Sequence, residues 1–562
     1  MEQYNTEESK VRLRKLVDSA KAIETNLQGI HSAIQDQTRQ QEKRHRDDKN
    51  EQCLKDLRET DPRDDKTRIQ NTKGGLLRDS YRWILQHDDF KKWRDDSQGQ
   101  LLWIKGDPGK GKTMLLCGII DELEKESANL LSYFFCQATE HRLSNATAVL
   151  RGLVYLLVQQ QPSLVLYIRQ KYDHAGKQLF EDLNAWESLS KIFTAMLNDP
   201  SLEGAILIID ALDECKTSRH QLLDLIVRPS RVKWIVSSRN WQDIEEKLDN
   251  AEQKVGLSLE LNKTSTSKAV ETYIGYKVEQ LARDKNYDQE TKQAVERHLN
   301  SNADGTFLWV ALVCQELADP KTRKRHSLSK LQSFPRGLDS LYSQMVEHMC
   351  DSEDADLCRE VLAIASVVYR PVKLDELKAL AQSLADMDED EIKEIIAACG
   401  SFLTIREDVV YFLHQSAKDY LLNKAFGYIL PSGTAHQHRA ILLNSLERLS
   451  EILQRDVYGL KAPGVDIDDI STPDPDPLSR VRYSCLYWVD HLDESECDTK
   501  MANEALNDEG VVHEFFRTKY LYWLEALSLL RSMSEGVLAM EKLWRFIVRF
   551  PPLLDSFANE IT

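Results

Sequence analysis

Two short stretches carry the residue types that phosphate chemistry needs. Gly106-Asp107-Pro108-Gly109-Lys110-Gly111-Lys112-Thr113 fits the pattern GxxxxGK[ST]. Its glycines let the backbone curl so that N–H groups and a following helix N-terminus surround a β-phosphate. Lys112 brings a positive charge to the β- and γ-phosphates, and the Thr113 hydroxyl is a hard oxygen ligand for Mg²⁺. About one hundred residues on, Ile206-Leu207-Ile208-Ile209 ends in Asp210, a carboxylate placed to hold the same Mg²⁺, followed by Ala211-Leu212-Asp213-Glu214. Asp213 and Glu214 are the candidates for orienting or deprotonating an attacking water. A third stretch, Trp234-Ile235-Val236-Ser237-Ser238-Arg239, ends in hydroxyls and a guanidinium. At a sheet edge Arg239 would reach a γ-phosphate and report its presence, and a structural ion pair accounts for it equally well.

These groups act together only if strands deliver them to one edge. The apolar runs Leu101–Ile104, Leu130–Cys136, Ala205–Ile209, Trp234–Ser237 and Val255–Leu261 are each short enough for a buried strand. Helix-length segments separate them, which predicts βαβ units and a five-stranded parallel sheet. The loop Gly106–Thr113 then stands between a strand and the helical run Met114–Leu123, the context a phosphate loop requires. The fold class is an α/β P-loop NTPase domain, followed by a helical subdomain, a winged-helix-like domain and an α-helical C-terminal region. The boundaries read as 1–60, 61–261, 262–339, 340–430 and 431–562. The winged helix rests on helical segments at Leu374–Leu380 and Glu391–Ala398, then Phe402–Ile405, a polar turn at Arg406-Glu407-Asp408, and Val409–Leu413. Upstream, Val11, Leu16, Ile23, Leu27 and Ile34 recur at helical spacing, and a frayed charged stretch from Gln37 to Asn50 is expected after them.

Composition narrows the partners. Asp and Glu number 91 against 73 Lys and Arg, so the net charge of −18 repels phosphate backbones and makes nucleic acid a poor partner. Ten cysteines without CxxC or Cys/His ligand spacing read as free thiols of a reducing compartment. The N-terminus has no secretory pattern, and no apolar run approaches the ~18 residues of a membrane span, so a cytoplasmic protein is expected.

With these motifs in place the chain resembles the fungal NACHT-domain NTPases of the vegetative and heterokaryon incompatibility type, within the STAND class that includes NOD-like receptors. The resemblance runs from about residue 55 to residue 425. It is carried by Lys73-Gly74-Gly75-Leu76-Leu77-Arg78-Asp79-Ser80-Tyr81, by Leu102-Trp103-Ile104-Lys105 leading into the phosphate loop, and by Ile208 to Glu214. Ser237-Ser238-Arg239 and Asp304-Gly305-Thr306-Phe307-Leu308-Trp309-Val310 add to it. The acidic pair after Asp210 sets this class apart from generic P-loop proteins.

Phe412-Leu413-His414-Gln415-Ser416-Ala417-Lys418-Asp419-Tyr420 resembles the family's winged-helix motif. The resemblance implies that His414 contacts the ADP β-phosphate in a closed state and that Pro335 packs near the adenine. It also implies a slow NTPase used as a switch, with Mg²⁺ and ATP/ADP as cofactors, self-oligomerisation on activation, and an unidentified protein ligand or effector. GTP/GDP remains open, because neither an N/TKxD guanine motif nor a definite adenine contact is visible. Relatives usually continue into ankyrin or WD repeats, and residues 431–562 show no 33-, 34- or 42-residue self-similarity.

Two other classes compete. A P-loop small-molecule kinase needs an Arg-rich lid soon after the loop helix, where only His141-Arg142 stands. A replication-initiator-like DNA-binding ATPase needs a basic recognition helix, which Leu374–Leu380 does not supply.

Overall fold

The computed structural model describes residues 31, 35, 37–96, 101–126, 130–182, 184–251, 254–320, 322–461, 464–495 and 510–549. Five strands, β1 (Leu101–Lys105), β2 (Leu131–Phe135), β3 (Ile206–Asp210), β4 (Lys233–Ser238) and β5 (Lys254–Ser258), form a parallel sheet in the order β2-β3-β4-β1-β5. β2 and β3 are buried along their whole length, as strands covered on both faces require. In register, Lys105 of β1 pairs with Ser238 of β4, and Phe135 of β2 with Asp210 of β3. The carboxyl ends of β1, β3 and β4 therefore finish at one edge, where ligands of open α/β sheets bind.

The last strand stops at Ser258, three residues earlier than expected, because Leu261 is exposed and Asn262 already turns into helix Lys263–Lys285. That helix, with Gln289–Asn302, Phe307–Ala318 and Ser327–Ser333, makes the helical subdomain. The winged helix follows, with helices Leu374–Leu380 and Glu389–Ala398 and the strands β6 (Val372–Lys373), β7 (Leu403–Arg406) and β8 (Val409–Phe412) in the order β6-β8-β7. The hairpin β7–β8 turns on Glu407 and Asp408, both at positive φ, the turn whose twist matches the strands it joins. One apolar cluster runs from Val270 through the helical subdomain into the winged helix, separate from the cluster that surrounds the parallel sheet.

Residues 37–57 are helical, so the fray expected between Gln37 and Asn50 is not seen. Its charges suit a solvated helix, and its C-terminal end is anchored by the buried Cys53 and Leu57. Arg151 caps that end, donating to the carbonyls of Leu57 (2.9 Å) and Asp56 (3.0 Å) and pairing with Glu59. The expected apolar positions from Val11 to Leu27, and Ile34, lie outside the described residues. Among the described residues no helix is long and apolar enough to cross a membrane.

The C-terminal helices, Gly433–Ile452, Arg482–Glu494, Val511–Leu529 and Met533–Arg549, form a third apolar cluster. A buried polar chain joins them to the winged helix. The Tyr369 amide donates to Tyr483 Oη (3.2 Å), Tyr483 Oη meets His491 Nε2 (2.7 Å), and His491 Nδ1 meets His438 Nδ1 (2.8 Å). Tyr483 is fully buried and its hydroxyl proton needs an acceptor, so it donates to His491 Nε2. His491 then donates from Nδ1 to the bare Nδ1 of His438. Burial, and next the Lys418 charge, push the His438 pKa down to about 4. Arg370, Glu376, Tyr487, Asp490, Asp493 and Glu494 are further charged and titratable groups around this chain.

A histidine held below its ordinary pKa stabilises the fold above pH 6.5, and that contribution is lost as pH falls from 6.5 towards 4. Wild type should therefore lose on the order of 3 kcal/mol over this window relative to His438→Gln, whose amide oxygen keeps the acceptor without titrating. Thermal melting at several pH values measures the difference. Parallel curves for the two proteins would contradict the assignment.

Candidate functional site

The phosphate loop is shaped by what presses on it. Gly109 (φ +78°) and Gly111 (φ +83°) sit in the left-handed region, and a side chain at either would collide with the segment Thr306-Phe307-Leu308. Contacts of 2.8 Å to Thr306 Cγ2 and 2.9 Å to Phe307 Cδ2 would result, so the helical subdomain rests directly on the loop. Lys112 folds its ammonium back onto the carbonyls of Gly106 (2.5 Å) and Asp107 (3.1 Å), and burial lowers its pKa. The Asp107 amide donates to Glu260 Oε1 (2.6 Å). Lys110, grouped above with the phosphate ligands, donates instead to the Asp304 carbonyl (2.7 Å) and latches loop to subdomain.

At the end of β3, Asp210 is buried and accepts from Ser237 Oγ (2.6 Å) and from the Thr113 hydroxyl. Burial raises its pKa and these hydrogen bonds oppose the rise. Ser237 Oγ also accepts from the Ala211 amide (2.9 Å), which holds Ala211 at φ +52°, a strained conformation for alanine at the turn into Asp213-Glu214. Thr113 and Asp210, hard oxygen donors already in contact, have the chemistry a Mg²⁺ site needs.

The acidic pair divides. Asp213 is 5% exposed and fully engaged, accepting from the Arg239 amide (3.0 Å) and pairing with Arg239 Nε (3.0 Å). Glu214 Oε2 accepts from the Ala138 amide (2.9 Å), and burial, then the Asp213 charge, lift its pKa to about 7. The rest of the Arg239 guanidinium reaches across to the winged helix, with Nη1 2.5 Å from Asp419 Oδ2. Burial opposes that charge, and Asp419 with Asp213 outweighs it.

His414 caps helix Gln415–Asn423, its Nδ1 accepting from the Ser416 amide (3.0 Å). A backbone N–H can only donate, so the neutral ring carries its proton on Nε2. Burial, then the charges of Lys73, Arg239 and Lys112, hold His414 well below its ordinary pKa and keep it neutral. The ring, the phosphate loop, Asp210, Asp213, Glu214 and Arg239 line one cavity of about 450 Å³. Leu76, Trp83, Tyr273, Ala311 and Leu312 also line it, apolar surface of the kind that takes a planar base.

Pro335 does not line this cavity. Its carbonyl accepts from the Trp309 indole (3.0 Å) and its ring borders a separate depression with Asp339 and Tyr420. Asp419, Ser237 and Glu260 were not singled out from sequence. Asp419 lies in the His414 motif, four residues from Gln415, whose amide donates to it (2.8 Å), and that helical spacing was the available signal.

Residues 79–239 match the family described as Nephrocystin 3, N-terminal. The chain is 54% identical over 516 residues to vegetative incompatibility protein HET-E-1 of Podospora anserina. That alignment covers 88% of this chain, which spans about two fifths (38%) of the relative's length. Among solved structures, the Walker-type ATPase PABY2304 of Pyrococcus abyssi aligns at 11% identity with a TM-score of 0.29, covering 60% of this chain and 95% of its own. A RuvB mutant of Thermotoga maritima aligns at 14% and 0.23, covering 63% and 98%. By its phosphate-loop motif, its parallel sheet and its similarity to HET-E-1, this chain is an α/β P-loop NTPase-fold protein that resembles the fungal NACHT proteins of the incompatibility type.

Proposed function

We propose that the chain is a purine-nucleotide switch in which Arg239 is shared between two masters. The observation that carries this reading is the Arg239 bridge: one guanidinium joins Asp213 beside the phosphate site to Asp419 on the winged helix. A nucleoside diphosphate leaves this bridge intact, and the Nε2–H of His414 is available to its terminal phosphate. A γ-phosphate competes with Asp419 for the same guanidinium. The triphosphate therefore favours an arrangement with the winged helix released, which is the differential affinity a switch requires. The released chain self-oligomerises. HET-E-1 is named for vegetative incompatibility, and a comparable cytoplasmic role in fungal self/non-self recognition, with programmed cell death as its output, fits this chain.

The hydrolytic roles follow from the same geometry. Lys112 and the loop amides receive the phosphates, and Asp213 holds Arg239 in place. Thr113 and Asp210 would hold Mg²⁺, which when bound neutralises charge on the phosphate oxygens. Glu214, whose carboxylate the Ala138 amide orients, takes the proton from the attacking water. Its pKa near 7 leaves it partly ionised at neutral pH, the range in which a general base acts.

A base must be ionised to act, so hydrolysis should rise as pH increases through about 7 and level off above it. Glu214→Gln should remove both the rise and most of the rate. Steady-state phosphate release across pH 5.5–9 measures this, and a rate that falls with pH would assign the step to another group.

Asp419→Asn and His414→Ala should both loosen the closed state. Charge-assisted hydrogen bonds contribute about 1.5–3 kcal/mol, so the ADP off-rate should rise roughly 10- to 100-fold. ATP affinity should be maintained or improved in Asp419→Asn, because the competitor for Arg239 has lost its charge. Stopped-flow release of fluorescent ADP and light scattering with ATP read the two effects. Wild-type off-rates together with an unchanged monomer in both variants would overturn the switch.

A further inference from the structure

Cations lining the cavity are almost all engaged. Lys110 serves the Asp304 carbonyl, Lys112 serves the loop carbonyls, Arg239 serves two carboxylates, and the Lys277 ammonium stands 5.6 Å from the Tyr273 ring centroid. Lys73 lines the same cavity and makes no side-chain hydrogen bond or ion pair among the described residues. An unpaired ammonium lining the cavity that contains the phosphate loop is complementary to an anion.

Its position is built rather than incidental. Lys73 ends helix Pro62–Thr72, its amide returning to the carbonyls of Ile69 and Asn71. The chain then turns through Gly74 (φ +82°) and Gly75 (φ +90°), with the Gly75 amide bonded to the Gln70 carbonyl (2.9 Å). Two successive left-handed residues admit glycine best, and a side chain at Gly74 would stand 3.0 Å from Lys277 Nζ. Lys73 thereby lines the cavity that also holds the phosphate loop, Asp210 and His414, and its charge acts on both of those side chains. The residue before it, Thr72, accepts from Arg406 Nη1 (2.8 Å) of the winged-helix hairpin. The turn that carries Lys73 is therefore pinned by the docked winged helix.

We propose that Lys73 is a further anion-binding residue of this cavity, donating its ammonium to the terminal phosphate of a bound nucleoside diphosphate, and that the Arg406–Thr72 hydrogen bond makes this contact depend on the docked winged helix. The assignment rests on the nucleotide-switch reading. It adds a second closed-state phosphate contact beside His414. It also gives the helix upstream of β1 a role in retaining the diphosphate.

The test is calorimetric titration of ADP and AMP into wild type, Lys73→Met, Lys73→Arg, Arg406→Ala and the double variant Lys73→Met/Arg406→Ala, with Lys112→Ala as the reference for a lost phosphate loop. Lys73 is exposed, so melting temperatures should match wild type. Lys73→Met should weaken ADP about tenfold and leave AMP unchanged, and Lys73→Arg should restore ADP binding. Arg406→Ala should weaken ADP by less, and the double variant should be no weaker than Lys73→Met. Unchanged ADP affinity in Lys73→Met, or equal losses for ADP and AMP, would overturn the assignment while leaving the switch standing. A wild type that binds ADP no better than Lys112→Ala would overturn the nucleotide reading and Lys73 with it.

Discussion

The Arg239 guanidinium has one fork and two carboxylates, and the arrangement of the closed molecule depends on how that fork is divided. Its Nε and backbone amide belong to Asp213, and its Nη1 belongs to Asp419. The burial that makes such a charge costly also makes each ion pair worth more than its surface equivalent, so removing a partner leaves an expensive orphan. The sheet order β2-β3-β4-β1-β5 makes the bridge geometrically available, because it sets β4 between the strand of Asp210 and the strand of the phosphate loop. In the proposed switch, a triphosphate in the loop would meet Arg239 at the point where the winged helix is tied down.

The kinds of contact differ across the molecule in a way that suits this. Helical subdomain and winged helix share one apolar cluster, which holds them together. The winged helix meets the nucleotide-binding domain through polar contacts instead: Arg239 with Asp419, Arg406 with Thr72, and His414 at the cavity wall. Polar contacts can be exchanged for water or for ligand phosphate at small net cost, whereas separating an apolar core forfeits its burial. In the switch proposed above, the polar contact between winged helix and parallel-sheet domain is therefore where the closed form would open. Lys110 and the segment Thr306–Leu308 lie where the helical subdomain meets the phosphate loop.

The features legible in the sequence are those whose chemistry is local. Gly106 to Thr113 needs only a strand before it and a helix after it, and the apolar runs supplied both, their ends differing by at most three residues. The winged-helix hairpin was legible for the same reason, from two short runs around a polar turn, while the two-residue β6 has no periodicity to detect. Contacts across domains left no such trace. Nothing near Arg239 announces Asp419, nothing near Lys110 announces the Asp304 carbonyl, and Pro335 fell outside the cavity because its carbonyl is committed to Trp309. Residues 37–50 misled differently: a run of mixed charge fits a solvated helix as well as a frayed linker, and only the docking of Leu57 decides between them.

If diphosphate and triphosphate select different placements of the winged helix, a distance across the cleft measures it directly. Spin labels on Glu187→Cys in the nucleotide-binding domain and Glu394→Cys in the winged helix, both exposed positions, would be read with the exposed native Cys350 replaced by Ser. One narrow distance distribution is expected with ADP, and a longer and broader one with a non-hydrolysable ATP analogue. The same narrow distance with both nucleotides would contradict the switch.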